Sequence, residues 1–209
     1  MPQNITIKKK LFLKQQGFTI VELMVTLTIV VLVTGIVMLQ YSSFNSAILL
    51  TSQAYLTAFD VRETQTLAIS VRGQGSQFRE EYGLYFDMSD TGEYLLFQDD
   101  NSKGKDNPVR YNPGEEIGTP YKLDLRYELK NICVTDSGTR TCYKDEATDA
   151  ISDVQLSNLA ISFKRPDFDA NFYSPGKSSI SSAEIIIGIM GTTHTKEIVV
   201  SSTGQISVK

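Results

Sequence analysis

The chain has 209 residues, of which 41% are hydrophobic and 21% are charged, and its formal net charge is −4 at pH 7. This length and composition suffice for one sizeable core, and they exclude a disordered chain, a collagen and a small disulfide-knotted protein. Four lysines are the only charged residues in the first 17, so residues 18–209 carry a charge of −8. An acidic main body of this kind disfavours nucleic acid as a partner.

An apolar segment of 22 residues, 18–39, with almost no charge follows the four lysines. As a helix it would be about 33 Å long, close to the hydrocarbon thickness of a bilayer, so we predict one membrane crossing. The next basic residue is Arg62, and the positive-inside rule therefore places the N-terminus in the cytoplasm and the rest of the chain outside. A cleaved secretory signal peptide is the alternative, although the segment is long for one and no Ala-x-Ala-like site follows it.

Glu22 is the fifth residue of this apolar segment. An acidic side chain at mid-membrane costs roughly 3 kcal/mol and usually has a partner. One interpretation is that Glu22 stays solvated near the membrane interface. Another is that a peptidase cuts between Gly17 and Phe18, which would leave the new α-amino group of Phe18 one helical turn before the carboxylate.

The residues around this bond, Lys-Gln-Gln-Gly-Phe-Thr-Ile-Val-Glu-Leu at positions 14–23, resemble the class III leader and cleavage site of type IV prepilins and type II secretion pseudopilins. The resemblance implies that a prepilin peptidase removes residues 1–17 by cutting after Gly17 and methylates the amine of Phe18. It also implies that Glu22 offsets the N-terminal charge of a neighbouring subunit in a filament. The implied partners are the peptidase, other pilin or pseudopilin subunits, the inner-membrane assembly platform and the lipid bilayer.

One helix of about 50 residues is predicted to leave the bilayer and to end near Arg72. Its outer half, residues 40–72, is amphipathic because apolar side chains recur near helical spacing among polar ones. A break into two helices around residues 40–45 is the alternative. We expect the apolar stripe to be buried against a globular domain, and its members are Tyr41, Phe44, Ile48, Tyr55, Phe59, Leu67 and Val71.

Residues 76–209 are predicted to form a β-rich extracytoplasmic domain, with the long helix packed on a mostly antiparallel β-sheet in an α+β fold. Short connections leave no room for a βαβ nucleotide-binding fold. Aromatic and β-branched runs bounded by turn residues predict strands within 82–87, 94–97, 121–127, 154–163, 183–190 and 197–200. Segments 82–86, 161–166 and 197–208 resemble the outer domain of H-type minor pseudopilins.

Cys133 and Cys142 flank a turn at Asp136-Ser-Gly in a strand-turn-strand pattern. A hairpin would bring their β-carbons close, and the predicted location outside the cytoplasm is oxidising, so we predict a disulfide. Closing a loop of about ten residues would stabilise the fold by roughly 3 kcal/mol. Two free buried thiols are the alternative. This pair and His194, the single histidine, do not supply the four ligands of a structural zinc site, so no metal site is predicted.

Residues 99–107 form an oxygen-rich loop that matches a calcium loop only in part. Lys103 and Arg110 occupy positions where ligands are required, so we interpret the loop as a solvated acidic turn. The sequence has no nucleophile elbow, phosphate loop, dinucleotide fingerprint or metalloprotease helix, and we expect neither an enzyme nor a bound cofactor.

These observations predict a pilin-like structural subunit of a type IV pilus or type II secretion pseudopilus. It would be held in the cytoplasmic membrane by one span with its C-terminal domain outside, and it would later join a surface or periplasmic filament. The alternative is a membrane-anchored extracellular binding module that does not polymerise. DNA capture by a patch of Arg62, Arg72 and Arg79 is a further hypothesis, which the charge of −8 disfavours.

Overall fold

The computed structural model describes residues 17–70, 81–99, 109–145 and 148–209, and the side chains of 39–44 and 154 are outside this description. The chain divides into two compact units, residues 1–44 and 45–209. Helix α1 (Ile20–Ile69) has 50 residues, and its backbone is helical through residues 40–45. The predicted helix is therefore one element rather than two, and it ends at Ile69.

In the first unit, α1 is long and apolar enough to cross a membrane over Ile20–Met38, and none of this segment is buried within the structure. The hydroxyl groups of two threonines inside the segment donate hydrogen bonds to backbone carbonyls of the same helix. Thr26 donates to the carbonyl of Leu23 at 3.0 Å, and Thr28 donates to that of Met24 at 2.8 Å. Such backbone partners let a hydroxyl lie in an apolar segment without an unpaired donor.

The second unit contains two five-stranded antiparallel sheets. The first has the strand order β3-β2-β1-β6-β7, and the second has the order β10-β9-β8-β4-β5. The α+β class with antiparallel pairing is confirmed, whereas the single sheet that we expected is in fact two. The strands are β1 (Glu81–Asp87), β2 (Glu93–Asp99), β3 (Tyr121–Lys122), β4 (Tyr127–Asp136), β5 (Thr139–Cys142), β6 (Asn158–Phe163), β7 (Ala170–Tyr173), β8 (Ile180–Ile189), β9 (Thr195–Ser201) and β10 (Ile206–Val208).

The main core is built from rows of apolar residues that lie side by side on neighbouring strands. Leu84 of β1 is paired with Leu96 on one side and Ile161 on the other. In the second sheet, Ile185 of β8 is paired in the same way with Ile132 and Ile198. All six side chains are buried in one cluster, as expected for strands that alternate between an apolar and a more polar face.

The segment 121–127, which we predicted as one strand, is interrupted by a turn. The carboxylate of Asp124 accepts hydrogen bonds from the backbone amide and the guanidinium of Arg126, both at 3.2 Å. This local side-chain bonding bends the chain and leaves Leu125 93% exposed. Similarly, Asp153 caps a short 3-10 helix (Val154–Ser157) at the start of the predicted strand 154–163.

The face of α1 that packs on the domain is not the stripe that we predicted. Ile48, Tyr55 and Phe59 are more than half exposed, and Leu67 is only partly buried. The side chains of Tyr41 and Phe44, and Val71 entirely, lie outside the described residues. Small side chains make up most of the buried face, and its members are Leu50, Ala54, Thr57, Ala58, Val61, Thr64 and Ala68.

Candidate functional site

Gly17, Phe18 and Glu22, to which the resemblance assigns processing and assembly, lie at the start of α1. Residues 17–19 precede the helix, and Phe18 is 75% exposed. The hydroxyl of Thr19 accepts a hydrogen bond from the amide of Glu22 at 3.2 Å, and its carbonyl accepts one from the amide of Leu23 at 3.1 Å. Thr19 is therefore the N-cap of α1.

The Thr19 cap was not recognised in the sequence analysis, although its signal is present. Thr-Ile-Val-Glu has the spacing of a capping box, in which Ser or Thr is followed three residues later by Glu or Gln. Glu22 also lies in the first turn, where the helix dipole favours a negative charge. The local structure thus gives Glu22 a role in starting the helix, beside the role in assembly that the resemblance implies.

Gly17 is not packed against the described residues. Apart from Gly17 and its chain neighbours, none of them has an atom within 4 Å of the position that a β-carbon on Gly17 would occupy. The same holds for Gly35 in the middle of the apolar segment. A requirement for glycine at position 17 would therefore come from something other than contacts with the described part of this chain.

The second unit exposes four large apolar side chains on α1, which we call the outer apolar face: Ile48, Tyr55, Leu56 and Phe59. Their exposed fractions lie between 52% and 61%. Successive residues are 100° apart around a helix, so these four lie together on the side opposite to the buried alanines. A group of exposed large apolar side chains outside the candidate membrane span is typical of an interaction site.

Polar contacts fasten the outer half of α1 to both sheets. The hydroxyl of Tyr94 in β2 donates to the carboxylate of Asp60 and lies 3.5 Å from the hydroxyl of Thr57. Arg62 donates to the carbonyl of Ile206 in β10 at 3.3 Å. Burial raises the pKa of Asp60, and the hydrogen bond from Tyr94 opposes that shift only in part.

A disulfide joins Cys133 and Cys142, which are directly paired on β4 and β5. It lies where the hairpin pattern predicts it, and Cys133 is fully buried. Asn131 supports the same region because its carboxamide donates to the carbonyl of Lys144 at 2.8 Å and accepts from its amide at 2.9 Å. The disulfide and this amide bridge together fix the chain that follows β5.

The other predicted features are only partly described. Asp99 is buried at the end of β2, but residues 100–107 of the acidic loop lie outside the described residues. Arg72 and Arg79 also lie outside them, whereas Arg62 is bonded to β10. Within the described ranges, no group of three or more His, Cys, Asp or Glu side chains is placed to hold a metal ion.

One family model matches the chain. Residues 13–38 match the model described as the prokaryotic N-terminal methylation motif, which is typical of type IV pilin and pseudopilin precursors. The matched segment includes Gly17, Phe18 and Glu22 and ends with the candidate membrane span. No curated protein and no solved structure matches the chain.

Proposed function

We propose that this chain is the precursor of a pilin-like structural subunit of a type IV pilus or type II secretion pseudopilus, and that it is not an enzyme. The observation that carries the proposal is the match of residues 13–38 to the methylation motif. The motif coincides with an exposed bond before a helix and with an exposed apolar helical segment suited to packing against lipid and other helices.

The proposed processing step is removal of residues 1–17 by a prepilin peptidase, followed by methylation of the new amine on Phe18. The exposed, non-helical backbone at residues 17–19 supports access by a peptidase. Within the described part of the chain, Gly17 makes no contact that would explain a glycine, which supports recognition by an external enzyme. The basic leader would keep this end in the cytoplasm, with residues 18–39 in the membrane and residues 76–209 outside.

In the proposed assembly step, subunits pack helix against helix on the assembly platform, and Glu22 offsets the terminal charge of a neighbour. The outer apolar face supports polymerisation over a solitary anchored module. A module that never met another subunit would leave Ile48, Tyr55, Leu56 and Phe59 in water, which is unfavourable for side chains of this size.

We further propose that the subunit is a minor one of the H type. Support comes from the three segments that resemble such proteins, because they fold as parts of β1, β6, β9 and β10 and thus span both sheets.

The test is the intact mass of the protein recovered from membranes. We expect a chain that begins at N-methylated Phe18 and lacks residues 1–17. Gly17→Val should block this cleavage, and Gly35→Val is the matched control because it replaces an equally open glycine away from the bond. Mature wild-type protein that retains Met1, or that starts near Ser42, would contradict the proposal and favour an anchored or secreted module.

A further inference from the structure

A second, smaller apolar cluster lies on the face of the first sheet that points away from the main core. Its buried members are Phe97, Val109 and Ala160, and Tyr85, Tyr111 and Tyr173 pack around them with their rings partly exposed. The neighbours of Tyr85 in β1, Leu84 and Phe86, belong to the main core, so Tyr85 points to the opposite face.

The strand register groups the tyrosines. Ala160 of β6 is paired with Tyr85 of β1 on one side and with Tyr173 of β7 on the other. Adjacent strands are about 4.8 Å apart, so the Cα atoms of the two tyrosines are separated by roughly 10 Å across a residue with a one-carbon side chain. The ring of Tyr111 adds a third aromatic surface, with its centroid 4.5 Å from that of Tyr85.

A cavity of about 350 Å³ opens at this cluster. The three tyrosines line it together with Arg110, Asn112 and Asn158. Its volume lies in the lower part of the range for small-molecule sites, and its lining combines three aromatic rings with several polar groups.

Hydrogen bonds hold two of the rings in place. The hydroxyl of Tyr85 donates to the carboxylate of Asp87 at 3.2 Å, and that of Tyr111 donates to the carboxylate of Glu116. Burial raises the pKa of Tyr85 to about 12 and also raises that of Tyr111, so both phenols are neutral at physiological pH. Aromatic surfaces that are already oriented lose little conformational entropy when a ligand binds.

We propose that this tyrosine cavity binds a pyranose unit of a carbohydrate. A pyranose has an apolar C–H face that packs on an aromatic ring, and its hydroxyl groups both donate and accept hydrogen bonds. The carboxamides of Asn112 and Asn158 match the hydroxyl groups because each can donate and accept, and that of Asn112 also donates to the carboxylate of Glu115 at 3.4 Å. The side-chain NH2 group of Asn158 donates to the hydroxyl of Ser157 at 3.5 Å, which is long for a hydrogen bond. A sugar hydroxyl in the cavity would offer this group a shorter hydrogen bond.

The surrounding charges disfavour a nucleotide as the occupant. Arg110 lines the cavity and would attract a phosphate group, but the carboxylates of Asp87, Glu115 and Glu116, which hydrogen-bond to lining residues, outnumber it and would repel phosphate overall. An uncharged sugar meets no such repulsion. The proposal concerns the outer domain alone and does not depend on filament formation.

The experiment is saturation-transfer NMR on the full chain in a detergent without a sugar headgroup, with chitotriose, cellotriose and maltotriose as separate probes. We expect saturable transfer to at least one of the three. Tyr173→Leu keeps apolar bulk but removes the aromatic face, and it should weaken binding about tenfold. Asn158→Ala should weaken binding about threefold through the loss of one hydrogen bond.

Asn171→Ala is the matched control, because Asn171 is exposed on the same strand as Tyr173 but does not line the cavity. It should bind the probe as the wild type does. Absence of transfer to all three sugars, wild-type affinity in Asn158→Ala, or preferential binding of thymidine monophosphate would each overturn the proposal. Near-ultraviolet circular dichroism of each variant identifies any that has lost its fold, and Asn158→Ala then decides the outcome without Tyr173→Leu.

Discussion

Glu22 combines a local role with a proposed intermolecular one. Its amide is capped by Thr19, and its position in the first turn favours a carboxylate. A glutamine at this position also completes a capping box, whereas neutralisation of a terminal amine requires the negative charge. The two roles therefore respond differently to the same substitution.

We predict that Glu22→Gln impairs filament assembly as strongly as Glu22→Ala, while both variants are still cleaved after Gly17. The reason is that neither side chain can offset an ammonium group. The measurements are the filament yield in sheared cell fractions and the intact mass of the membrane-bound subunit. Wild-type filament yield from Glu22→Gln would show that the helix cap, rather than the charge, is what assembly needs.

Asp60 is expected to make the folded protein less stable as the pH rises. Most carboxylates have a lowered pKa in the folded state and have the opposite effect. Burial raises its pKa in the folded state above the ordinary value of 3.8. Its contribution to folding is therefore complete below pH 3.8 and is lost as the pH rises through the folded-state pKa. The hydroxyl of Tyr94 donates to this carboxylate, which lowers the pKa and so opposes the effect of burial only in part.

We predict that Asp60→Asn stabilises the protein at pH 7 by about 0.5 kcal/mol and that the gain disappears near pH 3.8. Asparagine still accepts the Tyr94 hydrogen bond but carries no charge to desolvate. Asp124→Asn should show the opposite trend, because hydrogen bonds from Arg126 lower the pKa of Asp124. The measurement is chemical denaturation across this pH range, and a gain for Asp60→Asn that persists below pH 3.8 would exclude the desolvation explanation.

Helix α1 illustrates which features of an element the sequence can specify. Its length was predicted well because uniform apolarity and then helical spacing, with no proline, are local signals. The docking face was predicted wrongly because periodicity identifies apolar positions but not the surface that they meet. Ala54, Ala58 and Ala68 carry little hydrophobic signal, yet they are buried in the main core.

We predict that Phe59→Gln leaves the stability of the folded subunit within about 0.5 kcal/mol of the wild type but sharply reduces filament yield. Phe59 is 61% exposed, so its replacement removes little from the core. Phe168→Gln is the matched control, since Phe168 is 62% exposed but lies in a loop of the outer domain. Equal filament yields from the two variants would contradict a role for the outer apolar face in assembly.

At the scale of the whole molecule, the sheet arrangement depends on pairing between distant segments. Most strands were predicted because their aromatic and β-branched runs are local, but β1 pairs with β6 and β4 with β8 across more than forty residues. No local sequence pattern identifies which distant strand pairs with which, so the sequence could not distinguish two sheets from one. The short edge strands β7 and β10 were missed because they are stabilised mainly by their neighbours.

The two candidate sites also differ in whether the sequence alone could reveal them. The N-terminal methylation motif was recognised because its residues are contiguous in the chain. The tyrosine cavity was missed because its residues come from β1, β6 and β7 and from the segment that follows residue 109, and only the folded register unites them. Contiguous motifs can be read from one sequence, whereas surfaces assembled across a sheet require the fold.

The two compact units differ in what stabilises them, and this leads to a prediction about residues 45–209 expressed alone. Every described member of the main core lies at or after Leu49, so removal of residues 1–44 takes away no described core side chain. We predict that this fragment unfolds cooperatively in water without detergent, as measured by circular dichroism on heating.

We also expect the fragment to be a monomer by sedimentation at micromolar concentration, because the four side chains of the outer apolar face cover much less than the 1,200 Å² or so that a stable interface buries. If the fragment is molten, the membrane half of α1 contributes to folding of the outer unit; if it is folded but aggregated, Phe59→Gln in the same fragment should restore the monomer.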